Sequence, residues 1–155
     1  MKKIILLSIL FLCLDIFSKQ IVIHFMVENQ TIQIIPHFFS LTYVKNTGVA
    51  FSMLSGNLTF ILMMSVLVVG VLIFFAKNRG SSQLENLCYS MILGGALGNF
   101  LDRIFYGYVI DFFDFSLFGF KMAIFNVADI LIVCGVFLLI VLELLKERKM
   151  LWSIL

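Results

Sequence analysis

The 155 residues are 62% hydrophobic and 13% charged, with 11 Lys and Arg against 9 Asp and Glu and a formal net charge of +2. A mean hydropathy of +1.11 leaves too little polar surface to cover a soluble core of this size. That excludes an ordinary water-soluble domain; the net charge says little by itself, because the placement of Lys and Arg around the spans carries the information, and nucleic acid is not expected as a partner.

Residues 1–27 open with Lys2 and Lys3 and an apolar run that imitates a signal peptide ending at Cys13. Leu12 stands where a processing site wants a small side chain, and the run continues past Asp15 and Lys19 to membrane-spanning length. A retained first span over residues 4–27 is expected. Asp15 and Lys19, four apart with the acid first, share a helix face and can pair, either to stabilise the helix or to support a site.

Residues 28–57 are the longest polar interval. β-Branched and aromatic residues around Pro36, Asn46 and Gly48 predict a small sheet. In Lys45-Asn46-Thr47-Gly48, Asn and Gly tolerate positive φ, so an exposed backbone amide there could meet an extended ligand. His24 and His37 have no partner at metal spacing. Cys13, Cys88 and Cys134 are odd in number and lie in apolar segments, so packing is expected of them, with no disulfide, metal or cofactor.

Residues 58–76 carry no charge and form the second expected span; a basic turn with Lys77 and Arg79 follows. The third span, 84–104, runs through GGALGN, whose small residues let helices approach closely. The fourth is placed at 122–142, followed by Lys146, Arg148 and Lys149. Four spans bring all the basic ends to one side, so both termini are expected in the cytoplasm and the intervals 28–57 and 105–121 outside.

The chain is organised around residues 94–129, where four Asp, two Asn and an Arg stand among residues suited to hydrocarbon. An ionisable group at such depth costs at least about 2.5–3.5 kcal/mol and defaults to a functional role. Asn99, Asp102 and Arg103 are spaced to share a flank of the third span, and Asn126 and Asp129 to share a face of the fourth. The aromatic stretch 105–121, read as an interfacial loop or short helix over the site, carries Asp111 inward. Asp102 is expected mainly to neutralise its neighbour Arg103. Asp111 and Asp129, from different elements in a low-dielectric pocket, can share one proton and so supply a base and an acid for activating water against an amide.

Five motifs carry a resemblance: LDIFSK at 14–19, KNTGVAFS at 45–52, GNFLDR at 98–103, VIDF at 109–112 and FNVAD at 125–129. In order and spacing, over nearly the full length, the chain resembles the lipoprotein signal peptidases, or type II signal peptidases. The resemblance implies Asp111 and Asp129 as the catalytic dyad. It implies Asn46, Asn99, Arg103 and Asn126 as residues that shape the site and hold substrate; the residues' own chemistry adds Gly48 at the turn beside them and Asp15, Lys19 and Asp102 as structural support. It further implies an all-α integral membrane protein, a four-transmembrane-helix bundle with a small extracytoplasmic β-sheet, in the bacterial plasma membrane. The implied substrate is a prolipoprotein whose lipobox cysteine carries diacylglyceryl; membrane lipid, sensitivity to globomycin-type inhibitors and a monomeric state complete the expectation. The chain departs from the family's usual residues at Ser18 and Val49. Two rivals use the same residues differently: an ion or proton pathway built on the intramembrane carboxylates, and a serine hydrolase pairing Ser40 or Ser52 with Lys19 or Lys45.

Overall fold

A computed structural model describes residues 1–48, 56–78, 82–117 and 119–152. Val49 and Ser52, the turn residues Arg79, Gly80 and Ser81, Phe118 of the aromatic stretch and the side chain of Lys149 lie outside the described residues. Four helices, α1 (Lys2–Phe25), α2 (Leu58–Asn78), α3 (Gln83–Tyr106) and α4 (Val127–Trp152), accompany four strands, β1 (Thr31–Ile35), β2 (Phe39–Asn46), β3 (Val109–Leu117) and β4 (Phe120–Lys121).

Among the described residues, α1, α2 and α4 are long and apolar enough to cross a membrane. Equally long but more polar, α3 packs against the other three helices and so carries the bundle's interior. Glycines bring it close to its neighbours. A methyl group on Gly94 would lie 2.8 Å from the Ser8 carbonyl oxygen of α1, and one on Gly95 2.5 Å from the Ala128 carbonyl oxygen of α4. A reciprocal capping box starts α3, with the Ser82 hydroxyl accepting from the Glu85 N–H and the Glu85 carboxylate accepting from the Ser82 N–H. It ends at Gly107, whose φ of 79° is the left-handed conformation that glycine adopts without strain.

The strands form one antiparallel sheet in the order β1-β2-β3-β4. Residues 109–117 are thus a paired strand rather than the loop or short helix expected over the site. Asp111 lies opposite Val44 and Val109 opposite Asn46. One face of β3 buries Ile110 and Phe112 with Val22, Met26 and Tyr43. The other sets Phe113 and Phe115 against Phe125, the latter pair stacked at 5.6 Å and 5°. An apolar run buried on both faces has no alternation to announce it as a strand.

The fourth helix also begins later than expected, at Val127 rather than near 122. Phe125 instead exchanges backbone hydrogen bonds with Phe113. Asn126 then caps α4: its Oδ1 accepts from the Asp129 N–H at 3.0 Å, while Asp129 Oδ2 accepts from the Asn126 N–H at 3.2 Å. Asp129 therefore stands in the first turn of the helix, not two turns inside it.

Candidate active site

The end of α3, the start of α4 and the strands β2 and β3 meet around a cavity of about 490 Å³. Asn46, Asn99, Arg103, Asp111 and Asp129 line its polar end; Phe60, Met64 and Val68 of α2 and Ile132 of α4 line the rest. An apolar cleft with a few convergent polar groups is the usual form of a binding site for a largely apolar ligand.

Asp111 is 3% exposed, carried inward by the buried half of β3. Its Oδ2 accepts from Asn46 Nδ2 at 2.8 Å and its Oδ1 from Asn126 Nδ2 at 2.7 Å. Burial pushes its carboxyl up to about 7; the Asn46 hydrogen bond opposes the rise and the charge of Asp129 adds to it. Asp129 Oδ1 accepts from Asn99 Nδ2 at 2.8 Å. Asn126 is fully buried and links the two acids, because its Nδ2 also donates to Asn99 Oδ1 at 3.1 Å. The two carboxylates thus sit in one cleft within one network of amide donors, an arrangement able to hold one proton between a base and an acid.

Behind them, Lys19 is 1% exposed and Asp15 fully buried. The Lys19 ammonium contacts Asp15 Oδ2 at 2.7 Å, Asp102 Oδ2 at 2.9 Å and Asn99 Oδ1 at 3.0 Å. Asp15 Oδ1 accepts from the Ala128 N–H at 2.9 Å, which sets a negative charge at the N-terminus of α4. Asp102 does not have the expected role toward Arg103. Consecutive helix residues diverge by about 100°, so Asp102 turns to Lys19 and to the Ile110 N–H at 3.2 Å. Arg103 instead donates to the Asn99 carbonyl at 3.1 Å and the Gly48 carbonyl at 2.7 Å.

Gly48 differs from the expectation of an exposed amide: it is buried, and its N–H donates to Asn46 Oδ1 at 3.0 Å. This turn holds Asn46 in place, with Arg103 tying it to α3. The pairing of Lys19 with Asn99 was missed in the sequence, where 80 residues separate them and only the packing of α1 on α3 joins them. The serine rival finds no support. Lys19 is engaged by three acceptors, Lys45 pairs with Glu28 at 2.7 Å, and Ser40 sits five residues along β2 from Lys45, about 16 Å at strand rise. Ser52 lies outside the described residues. Among the described residues no group of three or more His, Cys, Asp or Glu is arranged to hold a metal ion.

The family model described as signal peptidase (SPase) II matches residues 7–145. A lipoprotein signal peptidase of Fusobacterium nucleatum is 41% identical over 94% of this chain and 88% of its own. One of Haemophilus ducreyi is 38% identical over 92% and 91%, and one of Staphylococcus aureus 36% over 94% and 89%. Two solved structures described as a bacterial membrane enzyme, both at 33% identity, superpose with TM-scores of 0.86 and 0.83. They cover 96% and 95% of this chain and 90% and 95% of their own. A match that spans nearly the whole chain, in sequence and in fold alike, means that the chain belongs to the signal peptidase II family.

Proposed function

We propose that the protein is the aspartic lipoprotein signal peptidase of its cell, with Asp111 and Asp129 as the catalytic pair. It hydrolyses the peptide bond before a diacylglyceryl-modified cysteine and so releases the signal peptide of a prolipoprotein. One observation carries the assignment of residues: two carboxylates from different elements share an apolar cleft and are joined through Asn126, whose Nδ2 donates to Asp111 and whose backbone N–H donates to Asp129.

Asp129 takes a proton from water as the water oxygen attacks the scissile carbonyl carbon. Asp111, which retains its proton near neutrality, donates a hydrogen bond to the carbonyl oxygen and then its proton to the leaving nitrogen. The carbon–nitrogen bond breaks, leaving a carboxylate on the signal peptide and an amine on the lipidated cysteine. Asn46, Asn99 and Asn126 hold the acids; the Arg103 guanidinium and the turn at Gly48 form the wall along which the extended peptide runs. The apolar lining from α2 and α4 suits a signal peptide and acyl chains, and is where a globomycin-type inhibitor would bind.

The same reading takes α3 as a fourth span whose polar face is covered by the other helices, so that the chain is one monomeric membrane domain. Lys2, Lys3 and Lys77 and the Glu85–Lys146 pair mark the end away from the dyad, which faces the cytoplasm; residues 28–57 and 105–121 face outward in the bacterial plasma membrane. The test is cleavage of a diacylglyceryl lipobox peptide by Asp111→Asn and Asp129→Asn. Both are expected to stay folded and lose nearly all turnover; a wild-type rate in either removes that residue from the mechanism.

A further inference from the structure

Lys19 is almost wholly buried and spends its ammonium on three acceptors, of which two are the carboxylates of Asp15 and Asp102. For an ion pair alone that would be enough. The third acceptor, Asn99 Oδ1, leads directly to the dyad. A primary amide has one oxygen and one NH2, so whichever end faces Lys19 decides which end faces Asp129. With its oxygen held by a cation, Asn99 must present Nδ2 to Asp129 Oδ1. The same oxygen receives Asn126 Nδ2, whose second proton goes to Asp111 Oδ1. A reversed Asn99 would set its NH2 against both the ammonium and the Asn126 amide, and its oxygen against a carboxylate.

We infer that Lys19 is a positioning residue for catalysis: through Asn99 it fixes the direction of the hydrogen-bonded relay that feeds both acids and places a buried positive charge one amide away from them. The inference rests on the reading of Asp111 and Asp129 as the dyad. Gly98 serves the same arrangement, because any side chain there would collide with the Asp15 carboxylate that anchors the ammonium.

Charge accounts for the effect on the acids. Facing the dyad are Lys19 with Asp15 from α1, and Asp102 with Arg103 from α3. The two cations balance Asp15 and Asp102, which leaves the dyad's own charge to be set by one shared proton. Removing Lys19 alone would leave Asp15 and Asp102 uncompensated and endanger folding, so the test uses a balanced background. Asp102→Asn keeps the ammonium on Asn99 and is the reference. Adding Lys19→Met removes the cation while Asp15 stays held by the Ala128 N–H.

Cleavage of a diacylglyceryl lipobox peptide is followed from pH 5 to 9, with turnover normalised to protein that binds a non-cleavable lipopeptide. The double variant is expected to keep the KM of Asp102→Asn and to lose about ten- to a hundredfold in kcat. The alkaline limb of its pH profile should move up by about one pH unit, because a lost positive charge makes Asp111 harder to ionise. Unchanged kcat per binding-competent molecule with an unshifted limb would make Lys19 merely structural and overturn the inference. Asp111→Asn and Asp129→Asn, assayed alongside, separate this from failure of the dyad itself: activity in either would refute the dyad whatever Lys19 does.

Discussion

Substitution of Gly98 by alanine tests the support beneath the proposed dyad. The added methyl would lie 2.2 Å from Asp15 Oδ2 and 3.0 Å from its Cγ, so the carboxylate must move. It is held by Lys19 at 2.7 Å and by the Ala128 N–H at 2.9 Å, and displacement weakens both. Breaking a buried ion pair costs about 3–5 kcal/mol. Alanine recovers up to about 1 kcal/mol in helix propensity. A net loss of about 2–4 kcal/mol follows, which for a chain of this length lowers Tm by about 4–16 °C. Gly70→Ala on α2 is the control, since a methyl there meets nothing within 4 Å. Thermal unfolding in detergent, followed by circular dichroism, should separate the two. Gly98→Ala melting together with Gly70→Ala would refute the argument that Asp15 is confined against α3.

The Asp111 carboxyl, raised from 3.8 to about 7, makes the folded protein hold this proton more tightly than the unfolded chain. Its stabilising contribution is therefore complete below about pH 4 and is lost as pH rises to about 7, roughly 4 kcal/mol in all. Melting of wild type against Asp111→Asn across this range should show the wild-type advantage shrinking with pH; a constant gap contradicts the burial argument. Over the same range the proposed mechanism has kcat fall as pH climbs through about 7 and Asp111 loses its proton. At the other end of α3, Ser82→Ala removes one half of the capping box and should cost about 1 kcal/mol, or about 2–4 °C in Tm. Turnover per folded molecule should stay at the wild-type level, and a large drop would mean that the helix start is coupled to the site.

Helical segments were readable because long apolar runs have few alternatives in a membrane protein, and Ser82 with Glu85 offered a capping signal that went unused. The sheet in 28–57 announced itself through β-branched residues and turn formers. Strand β3 did not, since Ile110 and Phe112 face one core while Phe113 and Phe115 face Phe125. Met122–Phe125 is apolar enough to extend a helix on paper, but the backbone bonds of Phe125 to Phe113 claim it for the sheet. The residues that converge at the cleft could be named from their cost in hydrocarbon. Their partners could not. Helix geometry alone separates Asp102 from Arg103, but nothing within α3 tells that Asp102 meets Lys19, or that Gly48 offers its carbonyl rather than its N–H, because both depend on which helix lies alongside.

The Asp15 carboxylate, bound at once to Lys19 and to the first turn of α4, joins the first helix of the chain to the last. During synthesis α4 emerges more than a hundred residues after Asp15, so this junction closes only once the whole stretch from Asp15 to Ala128 has been made. The link between the two helices is therefore a late step, made when the N-terminus of α4 docks onto a carboxylate that α1 has been holding ready.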